Sequence, residues 1–95
     1  MAREVTHAPL RFSLRLNNDL PAAAYVQLAR LAEEAGFDQF WVSHDLFLRS
    51  APAILAAAAQ ATERIALGTC VLNPYTLHPA EIAMTAATLD ELSGG

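Results

Sequence analysis

Apolar and polar residues alternate along residues 10–16, LRFSLRL. A period of two is typical of a β-strand with one apolar face, so this segment is predicted to be the first strand. After an Asn-Asn-Asp turn, apolar residues recur at helical spacing over about residues 21–35, with Asp19 as the expected N-cap and Gly36 as the left-handed stop. The chain therefore opens with a strand followed by an amphipathic helix.

The same order of strand and helix recurs twice. Residues 38–43 predict a second strand, with Trp41 expected in the core, and the Ala-rich residues 52–62 predict a second helix. Residues 65–71, IALGTCV, are apolar almost throughout, which is typical of a parallel strand buried on both faces. A third helix is expected to begin at Pro79.

The order β-α-β-α-β-α with short connections predicts an α/β fold of parallel, right-handed βαβ units, as in a TIM barrel or a doubly wound sheet. No G-x-G-x-x-G sequence follows the first strand, which argues against a dinucleotide-binding Rossmann start. In parallel barrels the chemistry lies at the carboxyl ends of the strands. Candidate site residues are therefore expected in residues 16–18, 43–45 and 70–73.

The composition narrows the class of protein. The 95 residues are 54% hydrophobic, which favours a packed core over disorder. The formal net charge is −4 and there is no basic stripe, so a nucleic-acid partner has little electrostatic support. The single cysteine excludes an internal disulfide. The His, Cys, Asp and Glu residues do not show the spacing of metal ligands. No apolar run approaches the roughly 18 residues needed to span a bilayer. We expect a cytoplasmic protein with no metal and no membrane partner.

Three segments carry a family resemblance. They are AEEAGFDQFWVS at residues 32–43, ATERIALGTCVLNP at 61–74 and HPAEIAMTAATLDELSGG at 78–95. They resemble the N-terminal part of the luciferase-like monooxygenase superfamily, and within it the branch that depends on the deazaflavin coenzyme F420 and includes methylene-tetrahydromethanopterin reductases. This resemblance implies a (β/α)8 barrel, which needs about 250 residues. We expect residues 1–9 to be a lead-in and residues 10–95 to form three β/α units, truncated before the fourth strand.

The resemblance also implies a cofactor site at the third strand. Cys70-Val71 matches the family position of a non-proline cis peptide bond, which forms a bulge behind the deazaflavin ring. From the residues alone, the alternative role of Cys70 is that of a small buried apolar residue. Asn73 is expected to add a polar contact to the cofactor, with a simple Asn-Pro turn as the alternative. For His78, a capping role or a surface contact is expected.

His44 and Asp45 follow the second strand, where many relatives carry an Asp-His pair with the histidine near the reacting ring. The resemblance therefore implies catalytic roles for both, with His44 as proton donor. The order here is reversed, which would turn the imidazole out of the pocket unless the loop restores its direction, because adjacent strand residues point to opposite faces. The alternative is a solvated loop pair, or a local capping role for Asp45.

The implied function is hydride transfer between coenzyme F420 and a small organic substrate. Within the enzyme class, an FMN-dependent monooxygenase is the nearest alternative. The non-enzymatic alternative is a catalytically silent fragment that acts only by association. Three strands of a barrel leave an apolar face and two parallel edges uncovered, and such surfaces favour homo-oligomers.

Overall fold

The computed structural model describes residues 10–73 and 75–94, so the expected lead-in lies outside the described residues. The predicted order of strands and helices is confirmed. The elements are β1 (Ser13–Leu16), α1 (Ala22–Glu34), β2 (Gln39–Val42), α2 (Ala51–Ala61), β3 (Ala66–Thr69) and α3 (Pro79–Ser93). Each strand has four residues, fewer than the apolar patterns predicted.

The strands form one parallel sheet in the order β1-β2-β3. In this register Leu14 lies opposite Phe40, and Phe40 lies opposite Leu67. Parallel neighbours require a crossover connection, which α1 and α2 supply. The predicted α/β class is therefore confirmed.

The core fills the space between this sheet and the helices α1 and α2. Phe40 and Val42 of β2 are fully buried, and so is Tyr25 of α1, while Leu55 of α2 keeps 1% of its surface exposed. Burying a side chain such as Val, Leu or Phe stabilises a fold by about 1.5–3 kcal/mol. In contrast, α3 contains no buried residue, and its contact with the core is made through Leu89.

The opposite face of the sheet carries a polar and aromatic network. Trp41 is half-buried and lies on this face, because its neighbours on β2 point into the core. The expectation that Trp41 lies in the core is therefore wrong. Its indole N–H donates to Gln39 Oε1 at 3.1 Å, and the Ser13 hydroxyl donates to the same oxygen at 2.8 Å. The Trp41 ring lies against Gly68 of β3.

The start of α1 is held by a tyrosine rather than by the predicted cap. The prediction of Asp19 as N-cap is wrong, because α1 begins after Pro21 with no side-chain cap. The Tyr25 hydroxyl instead accepts the Leu20 N–H at 2.9 Å and donates to the Asn17 carbonyl. A buried phenol needs such partners, and here they tie the β1–α1 turn to the helix.

The other two helices carry side-chain caps. Ser50 Oγ accepts the Ala53 N–H at 3.4 Å at the start of α2. His78 Nδ1 accepts the Ala80 N–H at 3.0 Å at the start of α3, which confirms the capping role expected of His78. In the described part of the chain, no helix combines the length and apolarity needed to cross a membrane.

Candidate functional site

The carboxyl ends of the three strands meet along one edge of the sheet, which we call the carboxyl edge. Two backbone hydrogen bonds continue the ladder past the strand ends, from the Ser43 N–H to the Leu16 carbonyl and from the Cys70 N–H to the Val42 carbonyl, each at 3.0 Å. They hold the segments after the strands side by side. The predicted site residues of the second and third strands are thereby brought to the same edge.

At the end of β3, the Cys70–Val71 peptide bond is cis, as the resemblance implied. The strand ends at Thr69, so the prediction of a strand reaching residue 71 is wrong. Cys70 is half-buried and its thiol is free, and Val71 is 73% exposed. The chain thus presents an apolar side chain at the carboxyl edge.

His44 is tied to the start of α2. Its Nδ1 accepts the Ala51 N–H at 3.1 Å, so the neutral imidazole carries its proton on Nε2. The ring is half-buried, and its Nε2 makes no hydrogen bond with the described residues. His44 therefore caps the start of α2, a local capping role that was considered for Asp45. Its Nε2–H remains available to bind a ligand.

Asp45 is exposed, and its carboxylate makes no hydrogen bond with the described residues. The backbone of Asp45 is held instead, because its carbonyl accepts the Asn18 Nδ2 at 3.0 Å. His44 and Asp45 therefore lie at the carboxyl edge as predicted. Their catalytic roles stay predictions.

Asn73 forms a local turn. Its Oδ1 accepts the Tyr75 N–H at 2.9 Å, and its carbonyl accepts the N–H groups of Thr76 and Leu77. The side-chain oxygen is thus already used within the loop before α3, as the turn interpretation expected. The contact between Asn73 and a cofactor stays a prediction.

The burial of two polar groups at the carboxyl edge was not predicted from the sequence, although residues 16–18 and 43–45 were expected to contain site residues. Asn18, treated there as part of a turn, is fully buried. Ser43 is 2% exposed, and Arg15 Nη2 donates to its hydroxyl at 3.0 Å across the sheet face. Strand alternation could have placed Arg15 and Ser43 on one face, but nothing in the sequence indicates the burial of Asn18.

A cavity among the described residues runs beside β3 and reaches the carboxyl edge at Thr69 and Leu72. Its volume is about 430 Å³, and it runs between β3 and α3, where apolar residues such as Ile65, Leu67, Ile82 and Leu89 line it. β3 has no neighbour on that side in the described sheet. The described residues also contain no group of three or more His, Cys, Asp or Glu side chains that could hold a metal.

The chain is similar in sequence to a known protein family and to several of its members. The profile of the family described as luciferase-like monooxygenase matches residues 5–95. The chain is 36% identical over 88 residues to a 5,10-methylenetetrahydromethanopterin reductase of Methanopyrus kandleri, covering 93% of this chain and 25% of that protein. It is 44% identical over 80 residues to an F420-dependent glucose-6-phosphate dehydrogenase of Amycolatopsis mediterranei, covering 74% of this chain and 24% of that protein.

A solved structure matches the fold as well as the sequence. The coenzyme F420-dependent tetrahydromethanopterin reductase of Methanopyrus kandleri superposes with a TM-score of 0.88 at 36% identity. The match covers 93% of this chain and 25% of that structure. The chain therefore spans about a quarter of the length of these relatives, which agrees with the predicted three β/α units of a TIM barrel.

Proposed function

Because the chain belongs to the luciferase-like monooxygenase family, we propose that it forms the first three β/α units of a coenzyme F420-dependent oxidoreductase. The observation that carries this proposal is the 0.88 TM-score, at 36% identity, with a reductase that depends on this coenzyme. The bound deazaflavin would supply the chemistry, which is transfer of a hydride between its C5 atom and a small organic substrate.

The residues of the carboxyl edge fit such a ring. A flat heterocycle needs an apolar surface against its face and a few polar groups at its rim. Val71 offers exposed apolar surface beside the half-buried Cys70, and the Asn73 side chain lies nearby in sequence on the same loop. We assign Cys70 and Val71 to backing the ring, and Asn73 to a polar contact at its rim.

We assign His44 and Asp45 to proton transfer in the proposed reaction. The Nδ1 of His44 is held by the Ala51 N–H, which orients the ring and leaves Nε2–H as the group that can donate to a ligand. The exposed Asp45 carboxylate is the neighbouring acceptor. The chain's own contribution is thus to orient the cofactor and hold a proton beside it.

Titration with each cofactor tests this proposal. We expect the protein to bind F420 more tightly than FMN. We also expect His44→Ala to weaken F420 binding by about tenfold, because the cofactor would lose one hydrogen bond between uncharged groups. The measurement is the change in cofactor fluorescence with protein concentration. His78→Ala is the matched control, because it removes the same type of Nδ1 cap from α3 and should leave binding within about twofold.

The outcomes of this titration separate the candidate functions. Tighter binding of FMN would favour a flavin-dependent monooxygenase. Binding of neither cofactor would leave association as the role of the chain. Equal losses in His44→Ala and His78→Ala would remove His44 from the site.

Association is a second candidate because large apolar side chains are exposed. Phe47, Tyr75 and Val71 are 101%, 96% and 73% exposed, and β3 has a free edge in the described sheet. Such surfaces drive self-association. We propose a homo-oligomer and expect size-exclusion chromatography with light scattering to give a mass above the 10.2 kDa monomer, rising with concentration. A constant monomer mass over a hundredfold concentration range, on the order of micromolar to sub-millimolar, would contradict it.

A further inference from the structure

We propose that Asn18 is a positioning residue, which holds the β2–α2 loop so that His44 and Asp45 stay at the carboxyl edge. Asn18 follows β1 and is fully buried, whereas the loop it contacts is largely exposed. This role for Asn18 rests on the proposed function in one respect only, namely that the positioned residues serve a cofactor site. The contacts that carry it are independent of the cofactor.

One side-chain amide binds both ends of the loop. Asn18 Nδ2 donates to the Asp45 carbonyl at 3.0 Å and to the Arg49 carbonyl at 2.6 Å. The backbone adds a third bond, because the Arg49 N–H donates to the Asn18 carbonyl at 3.0 Å. These three bonds, which we call the Asn18 latch, close the loop over residues 45–49.

The segment inside the latch has little else to hold it. Leu46, Phe47 and Leu48 are 57%, 101% and 47% exposed, so core packing does not fix them. Phe47 has a φ of +67°, which is costly for a residue with a bulky side chain. A hydrogen bond across the turn, from the Leu48 N–H to the Asp45 carbonyl, is long at 3.4 Å. A turn of this kind persists only when its ends are fixed.

The chemistry of the latch requires an amide at position 18. Both hydrogens of Nδ2 point at carbonyl oxygens, which fixes the orientation of the amide, because the reverse orientation would place oxygen against oxygen. Asn18 Oδ1 is buried and has no partner among the described residues. Aspartate has nearly the same shape but no N–H donor, so Asn18→Asp removes the two side-chain bonds of the latch and leaves the backbone bond and the size of the side chain unchanged.

Trypsin provides a direct readout, because it cleaves after Arg and Lys, and Arg49 lies at one end of the latched loop. The chain contains no Lys, so all its cleavage sites follow arginines. We expect Asn18→Ala and Asn18→Asp to speed native-state cleavage after Arg49 by about tenfold, since the population of the open loop rises when its bonds are lost. Cleavage after Arg30 in α1 and after Arg64 should change by less than about twofold. Asn17→Ala is the matched control, because the exposed Asn17 side chain makes no described hydrogen bond.

A second readout links the latch to the site. F420 binding should weaken by about tenfold in both Asn18 variants and stay unchanged in Glu34→Ala, at an exposed position of α1. Selective opening at Arg49 with unchanged F420 affinity would reduce Asn18 to a structural role and overturn its positioning role. Equal acceleration at all arginines in both variants, or none at Arg49, would overturn the latch itself. If the unmodified protein binds no F420 but Asn18→Asp opens selectively at Arg49, the latch stands and the proposed function fails.

Discussion

Replacing Gly68 with alanine is expected to destabilise the fold by about 2 kcal/mol, measured by urea unfolding. A Cβ atom at this position would lie 2.5 Å from Cε3 and Cζ3 of Trp41, far inside the normal contact distance. The Trp41 ring cannot simply swing away, because its indole N–H is bound to Gln39 and the same Gln39 oxygen also accepts from Ser13. Gly68→Ala must therefore displace either the ring or the strand.

The effect of Gly68→Ala on stability should change sign when the Trp41 ring is removed. In a Trp41→Ala background, Gly68→Ala is expected to be neutral or to stabilise by up to about 1 kcal/mol, because alanine loses less backbone entropy than glycine in a strand. A double-mutant cycle of the four proteins measures this coupling. Additive effects of the two substitutions would show that the Trp41 ring is not the reason why position 68 requires glycine.

Replacing Glu33 with alanine is expected to cost about 2 kcal/mol, because one carboxylate holds the whole turn between α2 and β3. Glu33 Oε2 accepts the N–H groups of Glu63, Arg64 and Ile65 at 2.9, 2.6 and 2.9 Å. Glu33→Gln keeps one acceptor oxygen and should cost roughly half as much. Glu34→Ala, at the exposed neighbouring position of α1, is the control and should change stability by less than about 0.5 kcal/mol.

The stabilisation by Glu33 should also depend on pH. Partial burial opposes the charged form, but the N–H groups of Arg64, Ile65 and Glu63 outweigh it and hold the pKa of Glu33 below its usual value. A lowered pKa in the folded state means that this stabilisation is complete above the unfolded value of about 4.3 and is lost as the pH falls through the folded pKa. The stability difference between the unmodified protein and Glu33→Gln should therefore shrink between about pH 5 and about pH 3. A constant difference over that range would show that the charge on Glu33 contributes nothing.

Sequence patterns predicted those features of the site that depend on position along a strand. In a parallel sheet the carboxyl ends of the strands share one edge, so His44, Asp45, Cys70 and Val71 could be assigned to that edge before any coordinates were known. The side-chain partners at the edge could not be predicted. His44 binds the Ala51 N–H and Asn73 turns back on Tyr75, and both contacts depend on the conformation of a loop rather than on a repeating pattern.

The amino-acid sequence by itself determined the order of strands and helices and their parallel arrangement, because hydrophobic period, turn residues and short connections act locally. The family resemblance came from three matching segments of the sequence. Tertiary structure alone decided which polar groups are buried and what they bind. Glu33 binds a turn 30–32 residues further along the chain, and Asn18 binds a loop 27–31 residues further along. Such contacts form only when separate elements dock, so no local pattern encodes them.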